Sequence, residues 1–334
     1  MPELYPFKFV PIFKNMLWGG HRLAQWLGEP TLLQTRIGEA WLISDVDDHL
    51  SLIRNGPWTG ISLRELLQRR GDQVLGPHQQ YWIAQGRFPL LLKFIDAQRE
   101  LSVQVHPNDQ QAALLGSGRF GKTEAWVILD RHPHHSRIFA GLRPGVTTEQ
   151  FRQALRDRQV VQLLHQYIPA PGDCLFLEAG TVHALGANLL VFEIQQSSDI
   201  TYRLYDWDRI DELTGQPRPL QVAQALACIN WSRGPCYPVR PAVTVNQNMR
   251  REGLVCCPYF TLERVTLAGP APLGCPKQCR ILVSIEGVAQ YNWDGQTELL
   301  RPGEVVLIPA SLGTIWLQPL SSPVVVLECG LPPL

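Results

Sequence analysis

PAPGDCLFLEAGTVHAL, residues 169–185, and LRPGEVVLIPASLGTIWL, residues 300–317, are written on one plan. Each passes from a Pro-Gly-acidic turn through a short apolar strand and a small-residue turn into a second strand. Short apolar runs bounded by Gly and Pro are the mark of β-structure, and a plan that recurs along the chain implies two related units. We therefore expect one domain over residues 1–235 and a second over 236–334, both of ordinary domain size. The stretch NWSRGPCYPVRP, 230–241, joins them. Only the first copy carries a histidine after its second turn, His183, where the second has Thr314. The chemistry is therefore assigned to the first domain.

Outward from these segments, 27 glycines and 27 prolines punctuate further Val-, Ile-, Leu- and Phe-rich runs. Strands are expected at 90–95, 102–106, 124–129, 174–177, 189–195, 280–286, 287–293, 305–308 and 324–328, of usual strand length. Helical signals are few. Residues 62–70 have Ser62 as a start and Gly71 as a stop, 148–156 have Thr148 as an N-cap, and 220–229 form a third segment. The pattern favours an all-β sandwich or barrel decorated by helices.

Lys and Arg total 30 and Asp and Glu total 30, so no global field exists to hold nucleic acid or an anionic membrane surface. An anionic ligand must be met by local charge. The N-terminal residues lack a basic region followed by an apolar run, and no stretch reaches the roughly 20 apolar residues of a membrane helix, so a cytoplasmic enzyme is expected. The eight cysteines are expected as free thiols. Cys275 and Cys279 lack the second pair that a zinc knuckle needs.

In LSVQVHPND, 101–109, strand alternation sends Ser102, Gln104 and His106 to one face and Val103 and Val105 to the other. In GKTEAWVIL, 121–129, Lys122 and Glu124 share a face by the same rule. His183 opens a further strand. Two His, one Glu and one Gln make a nitrogen and oxygen set suited to Zn²⁺ and acceptable to Mn²⁺, Fe²⁺ or Co²⁺. Taken singly, each of these residues is more often a structural polar group. The richer cluster RHPHH, 131–135, lies in a charged, Pro-containing loop with no nearby carboxylate and is read as exposed. In EIQQSSDITYRLYDWDR, 193–209, Arg203 and Arg209 sit among aromatic residues, and a guanidinium suits phosphate or enediolate oxygens. Ordinary Asp–Arg pairing on a surface strand is the alternative.

The blocks PLLLKFIDAQRELSVQVHPND (89–109), GKTEAWVIL, GTVHALG (180–186) and EIQQSSDITYRLYDWDR, preceded by NMLWGG (15–20) and GEAWLISD (38–45), resemble the type I mannose-6-phosphate isomerases in their short bacterial form. The resemblance covers the first two-thirds of the chain. It implies an all-β cupin fold, with one metal-binding jelly-roll barrel and a second, degenerate one. The helical domain that longer members insert between the metal Glu and the last metal His is expected to be absent, since only residues 125–182 lie between Glu124 and His183. It implies one Zn²⁺ per subunit, with other divalent ions acceptable, held by Gln104, His106, Glu124 and His183. Arg203 is marked as catalytic and Lys122 as a proton carrier. Ser102, Lys93 and Trp18 are marked as pocket residues, with Glu193 and Asp199 as further substrate contacts and alternative bases. The reaction implied is aldose–ketose isomerisation of a small sugar phosphate through a cis-enediolate, with neither nucleic acid nor membrane as partner. A sugar-phosphate-binding cupin without turnover is the alternative. Ala125 and Asn188 depart from the family pattern, where Cys or Ser and Gly are usual.

Overall fold

Leu90–Ala97 and Leu189–Gln196 are buried at every position and pair antiparallel along their whole length. Strands covered on both faces read as near-continuous apolar runs. Lys93, Asp96, Glu193 and Gln195 interrupt these two at a cost that needs a compensating partner for each polar group. In the computed structural model, which describes residues 3–116, 118–211 and 214–332, both strands lie at the centre of a six-stranded sheet. Its order is Ile12–Lys14, Glu39–Ile43, Leu90–Ala97, Leu189–Gln196, Glu124–Arg131, Cys174–Leu177. A five-stranded sheet runs Tyr202–Tyr205, Val103–Val105, His183–Leu185, Ile138–Leu142, Leu164–Tyr167.

The later part of the chain forms a six-stranded sheet whose outer strands are Ala242–Val245 and Val305–Ile308, and a four-stranded sheet from Ala271–Gly274 to Gln296–Leu300. A two-stranded pair, Asp45–Val46 with His49–Leu50, completes the set. One apolar core joins the early and late sheets, with Phe7, Phe94 and Phe192 in the same cluster as Phe260, Ile281 and Leu307. Phe7 also exchanges backbone hydrogen bonds with Leu307 at 2.9 and 2.8 Å.

These sheets correct the expectation of an all-β pair of cupin-type jelly-roll barrels. All five are open antiparallel sheets, and in the four larger ones the end strands do not pair with each other. Six α-helices accompany them among the described residues, so the fold is mixed α/β. Closure requires two distant edges to meet, and alternation along a strand reports which face is buried rather than which edges join.

Three helix details also differ from expectation. The helix capped by Ser62 does not stop at Gly71. It bends at Arg70 and continues to Leu75, ending at Gly76, whose φ is +96° and whose Cβ would lie 2.2 Å from the Lys277 carbonyl. Thr147, not Thr148, caps Thr148–Arg156, in a capping box with Gln150. Asp109–Ala113 was not expected as a helix, although Asn108 and Gln111 form the same box in front of it. No helix among the described residues is long and apolar enough to cross a membrane, and all eight cysteines are free.

Candidate active site

The register of the five-stranded sheet sets Arg203 opposite Gln104 and Gln104 opposite His183, a row of three polar side chains on adjacent strands. Val103 and Val105 fill the core on the other face. In the first six-stranded sheet Lys93 lies opposite Glu193, and Gln195 opposite Glu124. Lys122 stands two residues ahead of the strand Glu124–Arg131, yet its Nζ reaches Glu124 Oε2 at 2.8 Å. Gly19 approaches Gly38 so closely that a Cβ would meet its backbone nitrogen at 2.5 Å, which brings the Trp18 segment against the strand start that carries Glu39.

His106, Glu124 and His183 are buried, with their ligand atoms within 4.8 Å of one another. His106 Nδ1 donates to the Ile200 carbonyl at 2.9 Å, and His183 Nδ1 to the Thr181 carbonyl at 2.9 Å. Those bonds place the ring proton on Nδ1 and leave each Nε2 with its lone pair as an acceptor. The two Nε2 atoms face Glu124, His106 at 3.6 Å from Oε2 and His183 at 3.3 Å from Oε1. Burial first, and then the Lys122 charge, hold both imidazoles neutral, with His183 pushed down to about 4 and His106 well below its usual range. Neutral imidazole is the form that binds metal.

Lone pairs that face one another need a cation between them. Lys122 pairs with Oε2 of Glu124, Oε1 has no hydrogen-bond donor among the described residues, and the carboxyl pKa is raised by burial and by the Glu193 charge, against the pull of Lys122. Glu193 goes the other way. Burial opposes its ionisation, but Lys93 at 3.2 Å, Lys122 and the Trp126 indole N–H at 2.7 Å outweigh it. Lys93 in turn is held charged by Glu193 and Glu39 despite its burial. Three buried carboxylates, Glu39, Glu124 and Glu193, thus face two buried ammoniums, Lys93 and Lys122. One negative charge is left over in this group, beside the converging imidazole nitrogens, and a divalent cation fits the donor set.

Gln104 directs Nε2 toward His183 Nε2 at 3.3 Å and accepts the Ser102 hydroxyl on Oε1 at 3.2 Å. A half-turn of the amide exchanges its ends and makes Gln104 an oxygen donor toward the same point.

Over these groups opens a cavity of about 160 Å³ that brings together Trp18, Lys93, Ser102, Gln104, Lys122, Glu193, Asp199 and Arg203. Arg203 has its Nε buried without a hydrogen-bond partner. Arg209 does not line this cavity, and His132, His134 and His135 lie on the surface away from any metal-type cluster among the described residues. Glu39 and Arg218 line it too and had not been singled out. A carboxylate inside the wholly buried strand EAWLI was a signal for Glu39. Arg218 lies outside any strand or helix and offered none.

Residues 7–135 match the catalytic domain of phosphomannose isomerase type I. The mannose-6-phosphate isomerase ManA of Bacillus subtilis is 33% identical over 318 residues, covering 94% of this chain and 96% of that protein. The mannose-6-phosphate isomerase of Streptococcus mutans is 30% identical over 296 residues, 89% of this chain and 90% of that one. The crystal structure of the mannose 6-phosphate isomerase from Bacillus subtilis superposes with a TM-score of 0.87 at 29% identity, covering 97% of this chain and 99% of that one.

Proposed function

Because the chain belongs to the type I mannose-6-phosphate isomerase family, we propose that it interconverts mannose 6-phosphate and fructose 6-phosphate at this site, with one Zn²⁺ per subunit as its metal. The observation that carries the reading is the convergence of His106 Nε2, His183 Nε2 and the Glu124 carboxylate at one buried point. Gln104 supplies the fourth donor. Once bound, the ion would act as a Lewis acid toward the sugar's C1 and C2 oxygens.

The rest of the chemistry is assigned to side chains of the chain. Isomerisation of the open sugar moves a proton between C2 and C1 through a cis-enediolate. Lys122, whose Nζ lies 3.2 Å from His106 and 3.9 Å from Glu193, is assigned to carry that proton. Arg203 donates from its free Nε to the oxygen on which negative charge develops. Glu193 and Lys93 hold each other and orient the floor of the cavity, while Ser102, Trp18 and Asp199 line the path of the sugar. Every residue of this cavity falls within 1–235, so we assign residues 236–334 to support of the fold. A cytoplasmic location belongs to the same reading, since a charged sugar phosphate is confined by membranes.

The test is a coupled assay of mannose 6-phosphate conversion on purified protein before chelation, after it and after return of zinc. Activity lost with the metal and regained with zinc is expected. Sugar-phosphate binding with no turnover in any zinc-loaded sample would reduce the protein to a binding module. For Arg203→Gln the expected loss is about 10²- to 10³-fold in kcat, the usual effect of removing one donor to a developing oxyanion. Unchanged kcat would remove Arg203 from the mechanism.

A further inference from the structure

The strand that carries Glu124 begins at Glu124 itself, so the ladder of the sheet does not hold Lys122. The chain leading to Lys122 passes through exposed Leu114 and Leu115, yet residues 121–123 are buried. Buried peptides outside a ladder need other partners for their N–H groups. The Lys122 N–H donates to the Pro107 carbonyl at 3.0 Å. The amides on either side of it go to side chains, Gly121 N–H to Asp109 Oδ1 at 2.8 Å and Thr123 N–H to Gln196 Oε1 at 2.9 Å. The two side chains are themselves joined, since Gln196 Nε2 donates to the same Asp109 oxygen at 2.9 Å.

Asp109 and Gln196 thus form one clamp that closes on both sides of Lys122. Its approach is close: a Cβ on Gly121 would lie 2.6 Å from the Asn108 carbonyl carbon and 2.6 Å from the Asp109 nitrogen, and only glycine leaves that room. Both arms are anchored. The Asn108–Gln111 capping box fixes the start of Asp109–Ala113, and Gln196 is the buried last residue of Leu189–Gln196. The Asp109 carboxylate lies beside the Tyr259 phenol of the later part of the chain, which burial first, and then the Asp109 charge, push up to about 12. Neither Asp109 nor Gln196 lines the cavity over the donor set, so an effect of either on turnover must pass through a residue that does.

We propose that Asp109 is a positioning residue of the isomerisation, acting with Gln196 to fix the backbone on both sides of Lys122 and thereby the place of its Nζ. The proposal rests on the isomerase reading and on Lys122 as proton carrier, and it adds the group that sets the carrier's reach. A misplacement of about 1 Å costs on the order of 10²-fold in rate, so a clamp remote from the reacting carbons still governs turnover.

The test is a cycle of zinc-loaded full-length proteins, wild type, Asp109→Ala, Lys122→Met and the double variant, each with a thermal melt and a zinc determination. Asp109→Ala is expected to lower kcat for mannose 6-phosphate about 10- to 10²-fold, with KM and zinc content unchanged. In the Lys122→Met background the same substitution should cost nothing further, because residues that act as a unit are not additive. Asp109→Asn, whose Oδ1 can accept both hydrogen bonds, should recover most of kcat. Gln196→Met removes the other arm and should repeat the pattern of Asp109→Ala, for which it substitutes if that variant does not fold. Undiminished kcat in Asp109→Ala, a loss that multiplies with that of Lys122→Met, or a loss traced to missing zinc or a raised KM would overturn the proposal. If the wild type fails to turn over mannose 6-phosphate, the isomerase reading falls, and a crystal structure of Asp109→Ala decides the clamp by itself. Displacement of residues 121–123 by about 1 Å would uphold it, and an unmoved segment would overturn it.

Discussion

A Glu124→Gln protein is expected to lose stoichiometric zinc and, with it, at least about 10³-fold of its mannose 6-phosphate turnover, since Lewis-acid stabilisation amounts to several kcal/mol at 1.36 kcal/mol per decade. Glutamine keeps the shape of the side chain but removes the charge that faces His106 Nε2 and His183 Nε2. The metal-free variant should nevertheless melt no lower than the metal-free wild type. The substitution removes one of three buried carboxylates and leaves Glu39 and Glu193 balanced by Lys93 and Lys122, with Lys122 Nζ, released from Glu124, still 3.9 Å from Glu193. Wild type should then gain stability on adding zinc, by about 4 kcal/mol at a thousand times Kd, while the variant gains none. Metal analysis and paired melts read both effects. A variant that still holds one zinc, or whose metal-free form is clearly destabilised, would contradict this account of Glu124.

Lys122→Met is expected to lower kcat by about 10² to 10⁴, the range for removal of a positioned proton carrier, while zinc stays bound. Nζ lies 2.8 Å from a carboxylate oxygen of the donor set. An ammonium there competes with the metal for Glu124, so the variant should bind zinc at least as tightly as wild type. Falling kcat with undiminished metal content separates a role in proton transfer from one in holding the site together. Loss of zinc along with activity would make Lys122 a structural group, and near-full turnover would return the proton to Asp199, which lines the same cavity.

Much of the donor set was legible because strand alternation is a local rule. The run SVQVH places Gln104 and His106 on one side whatever the strand pairs with, and the core taken up by Val103 and Val105 enforces it. Lys122 was read onto the strand of Glu124 but precedes it, and it reaches the same carboxylate by its length. Glu39 and Arg218 were missed for different reasons. Glu39 sits in an apolar strand whose neighbour was unknown, and Arg218 enters the site by long-range folding of a segment with no periodicity.

By itself the sequence determined the strand segments, the faces they bury, the Ser62 cap and the chemical kind of the donor set, because propensity, alternation and capping act within a few residues. Tertiary structure alone decided that the sheets stay open, that one core runs through early and late strands, and which carboxylates and ammoniums are buried together. Those outcomes depend on which edges meet and which charges are buried together, and both are set by contacts between residues that no local pattern relates.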